Sequence, residues 1–533
     1  MIHSSINNQD DENDDNNNIN QNDDDDQQQN SAILDQPLTV AIDQQQQQQQ
    51  QSVMVDIDNN KLDHQEYKTF LKLHKLVQGV SYKNIIASYL GSFLSICFFV
   101  FINVAQPIIL TNSLNIPDDK TGQASGNLSF ANELVILIVS HCWGITSDRI
   151  GRKYVYCIGM VLIGMGLIVY PFANSFGLLI LFRLIFALGA AACSSMLSAV
   201  LADYVIFQDR GKASGILGFS AGGGAVLGSL VLLKLPSFFQ SVIPNFSITH
   251  AAQLTFCLTG GLAFIGAVIL FFGLQNKKHC KTHTHERNSI KIAIEGIAAG
   301  KKPVLSLAYG SGFIARGDSA IATTFLSLWI YQYALSTNGG NKADALSQSG
   351  TISGVAQTCG LFFALIAGVL CDKLNRVFAM ILLSSIGCLG YFLLSFSSNP
   401  LSTEFFIAAC IIGCAETGMV VSSTALVAQE SPPEYRGSVS GFFSQCGSIG
   451  ILIASKVGGE FFDRWNGFPF VLFGALSGVL SLWGLIVFIF TQCKTKRSSN
   501  PIKSFFLNFV SNDDKEVSNQ KYLDSIQNPL LSE

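Results

Sequence analysis

Charge is scarce in this sequence. Asp, Glu, Lys and Arg together make 13% of 533 residues, while 49% are hydrophobic; a soluble domain carries about twice that share of charge. Mean hydropathy is +0.36 even though both ends are polar, so the middle is more apolar than a soluble core tolerates. A large soluble helical protein is thereby excluded. The net charge is only −4, and no basic patch interleaved with aromatics occurs, so nothing points to nucleic acid. The 13 cysteines are no disulfide framework: Cys97, Cys142, Cys157, Cys193, Cys257, Cys359, Cys388, Cys410, Cys414 and Cys446 lie mostly within apolar runs, as small packing residues do. Gly296 to Lys302 lacks the spacing and the Ser or Thr of a phosphate-binding loop, so no ATPase is implied. No nucleophile–base pair and no metal-ligand cluster falls in the apolar runs, which argues against an enzyme, a metal or a cofactor. His279, Cys280, His283 and His285 could bind Zn²⁺ but read as part of a solvated linker.

What is present begins with a tail. Met1 to about Leu76 is rich in Asp, Asn and Gln, with unbroken Gln from Gln44 to Gln51. It cannot bury enough apolar area to offset its ordering entropy, so residues 1–81 are expected to be a disordered cytoplasmic tail. The start lacks a basic stretch followed by an apolar core and reads as no cleavable signal peptide. A second polar tail covers 493–533. Its Asn528-Pro529-Leu530-Leu531 is similar to a dileucine sorting signal, although the acidic residue is not at the usual spacing.

From about Ile85 the chain is a train of apolar segments, each near the ~20 residues needed to cross a bilayer. Twelve spans are expected, near 86–110, 128–147, 154–173, 177–204, 214–235, 252–275, 304–333, 347–370, 377–396, 403–428, 439–461 and 467–491. Basic residues concentrate in alternate connections: Arg149, Arg152 and Lys153; Arg210 and Lys212; Lys277, Lys278, Lys281, Arg287, Lys291, Lys301 and Lys302; Lys373 and Arg376; and Arg436. That asymmetry places both termini in the cytoplasm. The sequons Asn127-Leu-Ser129 and Asn245-Phe-Ser247 then fall in loops on the far side, as candidate glycosylation sites. Trp329, Tyr331 and Tyr333 read as interfacial anchors.

The connection after the second span is Gly144-Ile-Thr-Ser-Asp148-Arg149-Ile-Gly151-Arg152-Lys153, and a weaker copy, Gly368 to Val377, carries Asp372 and Arg376 in equivalent places. The chain repeats itself elsewhere too. Arg210-Gly211 then Gly215 follow the fourth span, as Glu430 to Arg436-Gly437 and then Gly441 follow the tenth. Asp148 and Asp372 are 224 residues apart (372 − 148), and Arg210 and Arg436 are 226 apart (436 − 210). Two unrelated features with nearly one offset argue for duplicated halves, 82–275 and 303–492, joined by a linker at 276–302. The loop resembles the signature of the major facilitator superfamily of secondary transporters, over roughly Tyr82 to Cys493. The resemblance implies an all-α membrane protein of twelve transmembrane helices in two pseudo-symmetric six-helix bundles. It also implies a gating role for Asp148 and its neighbours, here as an Asp148/Arg152/Asp203/Arg210 network.

Ionisable residues inside spans are costly and usually face a cavity or a partner. Glu133 lies in the outer half of span 2 and Arg183 in the outer half of span 4. Arg316 and Asp318 lie near the middle of span 7, and Glu416 near the middle of span 10. These five are the candidates for solute binding and proton coupling; structural pairing, such as Glu133 with Arg183, is the alternative. Arg183-Leu-Ile-Phe-Ala-Leu-Gly189 is similar to a helix-4 motif linked to proton coupling in some families. The Gly-Pro pair of proton-coupled drug exporters is absent from span 5, and so is the Gln-Gln series of sugar carriers. The function expected is secondary active transport of a small organic solute by alternating access, with protons as candidate coupling ions. An exporter of drugs or other organic compounds and a non-transporting receptor or trafficking protein are the alternatives. The partners expected are the lipid bilayer, a small solute and protons, for a monomer in the plasma or endolysosomal membrane.

Overall fold

The computed structural model describes residues 68–495 apart from 72, 207–208, 276–293, 295, 338–340 and 432–435, and only the backbone at 148, 211, 372, 436–437 and 492–495. The Gln run, the His/Cys linker and the carboxyl tail therefore lie outside the described residues, as do the side chains of Asp148, Asp372 and Arg436.

Eleven described helices are long and apolar enough to cross a membrane. In chain order, α1 is Tyr82–Val104, α2 Asp118–Ile150, α3 Arg152–Val169, α4 Phe176–Tyr204, α5 Arg210–Val226 and α6 Ile248–Gly273. The second series is α7 Pro303–Ala320, α8 Lys342–Lys373, α9 Arg376–Ser395, α10 Thr403–Glu430, α11 Arg436–Phe462 and α12 Phe468–Thr495. The expected seventh crossing is the one outside those eleven. A π-helical turn, Ile321–Phe325, separates α7 from a continuation at Leu326–Thr337. Similar π turns extend α1 at Ile109–Ser113 and α5 at Leu227–Val231. Such turns re-aim a helix face and are frequent at functional sites.

The sequence explains the helix boundaries. Ser175 and Ser402 cap the fourth helix of each series, accepting hydrogen bonds from the Leu178 and Phe405 amides. The signature loop turns at Gly151, whose φ of 100° is open to glycine at little cost. Its copy turns at Asn375, which instead caps α9 by accepting from the Val377 amide. Two aromatic cores result, one around Phe98, Tyr156, Phe186 and Phe256, the other around Phe325, Tyr391, Phe405 and Phe473. Large apolar side chains such as Leu181, Phe272, Phe362 and Phe490 are exposed on the outside, as suits a surface facing lipid.

Two expectations need correction. The tail is structured from 68 onward: strands Thr69–Phe70 (β1) and His74–Lys75 (β2) form a hairpin. Leu76 and Val80 are buried, and the Val77 amide donates to the Tyr204 carbonyl at 2.9 Å; these apolar residues dock the segment on the end of α4. The second crossing starts ten residues earlier than expected, at Asp118, so Asn127 lies inside α2 and not in a loop. Its side chain accepts a hydrogen bond from Lys456 Nζ at 2.8 Å. Asn245 does sit in an exposed turn.

Glycines show how the two series of helices meet. At the end bearing the sequons, a Cβ on Gly126 would strike Ser455 and Gly459 of α11, and one on Gly350 or Gly354 of α8 would strike Ser229 or Leu230 at the end of α5. These contacts need glycine because the backbones approach so closely. At the opposite end, which carries the basic loops, the same four helices have room to spare. Gly144 of α2, Gly215 and Gly218 of α5, Gly368 of α8 and Gly441 of α11 each face open space. The bundle is closed at the sequon end and splayed at the basic-loop end.

Candidate functional site

Four of the five expected charges come together, and the fifth stands apart. Glu133 is at the middle of α2 and not in its outer half, because the helix begins earlier than expected. Its carboxyl faces the Ser448 side chain of α11 and is within electrostatic reach of Arg316 on α7. Glu416, midway along α10, is the counterpart from the opposite direction. Gln357 Nε2 of α8 lies 3.4 Å from its Oε2, Ser319 is beside it, and Arg316 again acts on it. Asp318 lies deeper in the second series, close to Glu416.

Exposure separates the roles. Glu133 and Glu416 are 7% and 8% exposed, whereas Arg316 is open to solvent. Gly447 makes this possible: a Cβ there would lie 2.7 Å from Arg316 Cγ, so the arginine stem lies flat on α11. Among the described residues Arg316 is ion-paired to neither carboxylate, although both feel its charge. A guanidinium held between two carboxyl groups without closing on either leaves donors and acceptors available to a third party. Asp318 is only 1% exposed, and neither carboxyl oxygen has a hydrogen-bond partner. The Tyr391 hydroxyl nearby donates to the Asp318 backbone carbonyl at 3.5 Å.

Arg183 does not join this group. It is fully buried within the first series, donating to the Asn103 side chain, and its guanidinium lies 6.0 Å from the Tyr170 ring centre and 5.5 Å from that of Phe186. The considered Glu133–Arg183 pair is not formed.

The signature-loop residues cluster at the splayed end. Arg152 Nε lies 2.7 Å from Asp203 Oδ2, tying the start of α3 to the end of α4. Arg210 donates to the Ala202 and Val205 carbonyls at 2.7 and 3.4 Å, where the α4 dipole is negative. In the second series Arg376, equivalent to Arg152, reaches the end of the corresponding helix and donates to Ala425 O at 3.1 Å. A carboxylate receives the arginine in one half, a main-chain carbonyl in the other. Gly144 and Arg149 lie in the last turns of α2, Gly151 makes the turn, Lys153 is in the first turn of α3, Gly368 lies near the end of α8, and Glu430 ends α10.

Sequence reading missed the polar neighbours of the charges. Ser319, Gln357, Tyr391 and Ser448 are uncharged residues in apolar helices, where composition gives no sign of their facing. It also missed His141, two turns beyond Glu133 on the same face of α2, whose Nε2 meets Gln445 Nε2 of α11 at 3.2 Å. An in-span histidine was the available signal.

Residues 88–455 match the family model for the Major Facilitator Superfamily. The chain belongs to that superfamily. The magnetosome protein MamH of Paramagnetospirillum magneticum is 26% identical over 409 residues, covering 75% of this chain and 91% of that protein. Multidrug resistance protein 2 of Bacillus subtilis is 24% identical over 377 residues, 68% of this chain and 87% of its own length. Among solved structures, the nucleoside transporter NupG superposes with a TM-score of 0.60 over 76% of this chain and 99% of its own, at 14% identity. This superfamily member is therefore a multi-pass membrane protein with the two-bundle transporter fold, working in a lipid bilayer.

Proposed function

We propose that this protein is a secondary carrier that moves a small polar organic solute by alternating access, with protons as coupling ions. The observation that carries the reading is the placement of Arg316 between Glu133 and Glu416. These groups come from both six-helix halves, at mid-height, beneath the closed sequon end. A site shared by both halves is sensed by both, so rocking one against the other changes its access without moving the solute.

The halves are 82–275 and 303–492, joined by the linker at 276–302. The basic loops put the splayed end and both termini in the cytoplasm, with the plasma or endolysosomal membrane as host. On that orientation the conformation is open to the cytoplasm. An ionised Asp318, buried and beside Glu416, would be costly in this setting; a bound proton removes that cost, and Glu416 is near enough to feel the change. The carboxyl groups supply proton binding, while Arg316 and Gln357 supply the donors that meet an acceptor group of the solute.

The deciding experiment is uptake and efflux in proteoliposomes against panels of nucleosides, sugars, organic anions and organic cations, with and without a pH gradient. Transport of one class, with solute affinity lowered about tenfold by Arg316→Ala while folding is retained, supports the proposal. A chain that moves nothing across the panel, or that moves a solute equally well without Arg316, refutes it.

A further inference from the structure

The closed end of the bundle has a fastening that none of the signature residues explains. Asp463 lies in the turn just beyond α11. Its two carboxylate oxygens accept the backbone N–H groups of Gly122 and Gln123 in the other half, at 2.7 and 2.8 Å. Those amides lie four and five residues into α2, just past Asp118 and Asp119 of its first turn. The Asp118 carbonyl, their neighbour in the same turn, is occupied by Thr121 Oγ1 at 2.9 Å and Gln332 Nε2 at 3.1 Å. The start of α2 is thus held by the other half through its main chain.

Position 122 must be glycine for this contact. A Cβ there would lie 2.5 Å from Asp463 Oδ1 and 2.6 Å from Phe462 Cδ1. The bonds around it share one pattern: the charge is on α11 and the partner on α2 is neutral. Glu460 accepts from Gln123 Nε2 at 3.0 Å, and Lys456 donates to Asn127 at 2.8 Å. Separating the halves therefore strands no buried ion pair, because each charge hydrates where it stands and each neutral group does the same. Closure built this way is specific in geometry yet cheap to undo, as a two-state switch requires. Among these contacts Asp463 is the one that grips backbone with both oxygens.

We propose that Asp463 is the bolt of the sequon-end gate, a positioning residue that holds α2 against α11 while the opposite end is open. This rests on the alternating-access reading above. Glu133 is eleven residues further along α2, so the bolt is about 16 Å from the charged site along the helix axis. It acts on solute access and touches no solute.

The test uses the full-length chain in lipid nanodiscs, with spin labels carried on unnatural side chains at Asn174 and Asn399, exposed residues of the α3–α4 and α9–α10 turns at the gated end. Pulsed dipolar distances between them report the gate without any solute. Asp463→Asn keeps the shape but turns an NH₂ group toward one of the two amides, so it is expected to add a longer-distance population absent from the parent chain. Gly122→Ala is expected to do the same by steric means, and Asp463→Glu, which keeps two oxygens, to return most of the short-distance population. Parent-like distances in both Asp463→Asn and Gly122→Ala overturn the bolt. If one of these variants is not monodisperse, the other decides alone. A parent chain that carries solute while its gate distances stay fixed would sink the alternating-access reading instead, so the two failures are distinguishable.

Discussion

Arg152 and Asp203 meet at 2.7 Å across the base of the first six-helix half, and the pair lies within that half and not between the halves. With side chains 22% and 27% exposed, a pair of this kind is worth less than about 1 kcal/mol. It therefore aligns α3 with α4 more than it stabilises the fold. Asp203→Asn should lower the melting temperature by no more than about 2 °C yet slow initial uptake in proteoliposomes. The exchange Arg152→Asp with Asp203→Arg should recover part of that rate. An unchanged rate in the single variant would remove the pair from the transport cycle.

The carboxyl groups of the second half make a sharper prediction. If Asp318 or Glu416 carries the coupled proton, then Asp318→Asn or Glu416→Gln should flatten the pH dependence of uptake, while exchange of solute without net proton movement survives. Arg316→Ala should weaken solute binding by about tenfold, the loss of about 1.4 kcal/mol, with that pH dependence kept. Isotope uptake across a pH series separates the two outcomes. A Glu416→Gln chain with the parent profile would place coupling elsewhere.

Most of the fold was legible because crossing a membrane forces one pattern on the sequence. Apolar length, basic loops and a repeated offset between Asp148 and Asp372 are all set by the bilayer and by duplication. The seventh crossing was read at 304–333 although Arg316 and Asp318 lower its apolarity; the π turn that divides it left no sign in the sequence. The start of α2 was misjudged because Asp118 to Ser129 is polar; the other half, not lipid, covers part of it. The same cause displaced Glu133 and Asn127. Charges were visible as candidates, but their grouping was not: nothing in the chain says that Arg183 faces Asn103 while Arg316 faces the gap between the halves. Asp463 left no trace at all, because its partners are backbone amides 340 and 341 residues away.

The amino-terminal hairpin is built to loosen in acid. His74 is fully buried, its Nε2 3.2 Å from the Tyr89 hydroxyl and its Nδ1 without a partner. Burial lowers its pKa below the ordinary 6.5; Asp209 pulls it up and Lys212 pushes it down, both to a lesser degree. The docked form thus takes a proton less readily than the released one. Docking is at full strength above about pH 6.5 and weakens as pH falls below it. A spin label at the exposed Leu73 should become more mobile between pH 8 and pH 5.5. His74→Phe should remove most of that change, and a label equally immobile at both pH values would show that His74 does not control docking.

The two sequons should differ in whether they accept a glycan. Asn245 lies in an exposed turn with φ of 60°, between the end of α5 and α6, and its side chain is free to be reached. Asn127 is nine residues into α2, half-buried against α11, and holds Lys456. A glycan there would have to be attached before the halves close, and would then keep α2 from α11 at the gate that Gly126 and Gly459 bring so close. Expression in cells that add N-linked glycans should give a mobility shift that glycosidase removes. Asn245→Gln should abolish that shift and Asn127→Gln should leave it intact. The reverse result would mean that the sequon end opens far enough, early enough, for α2 to be modified before it docks.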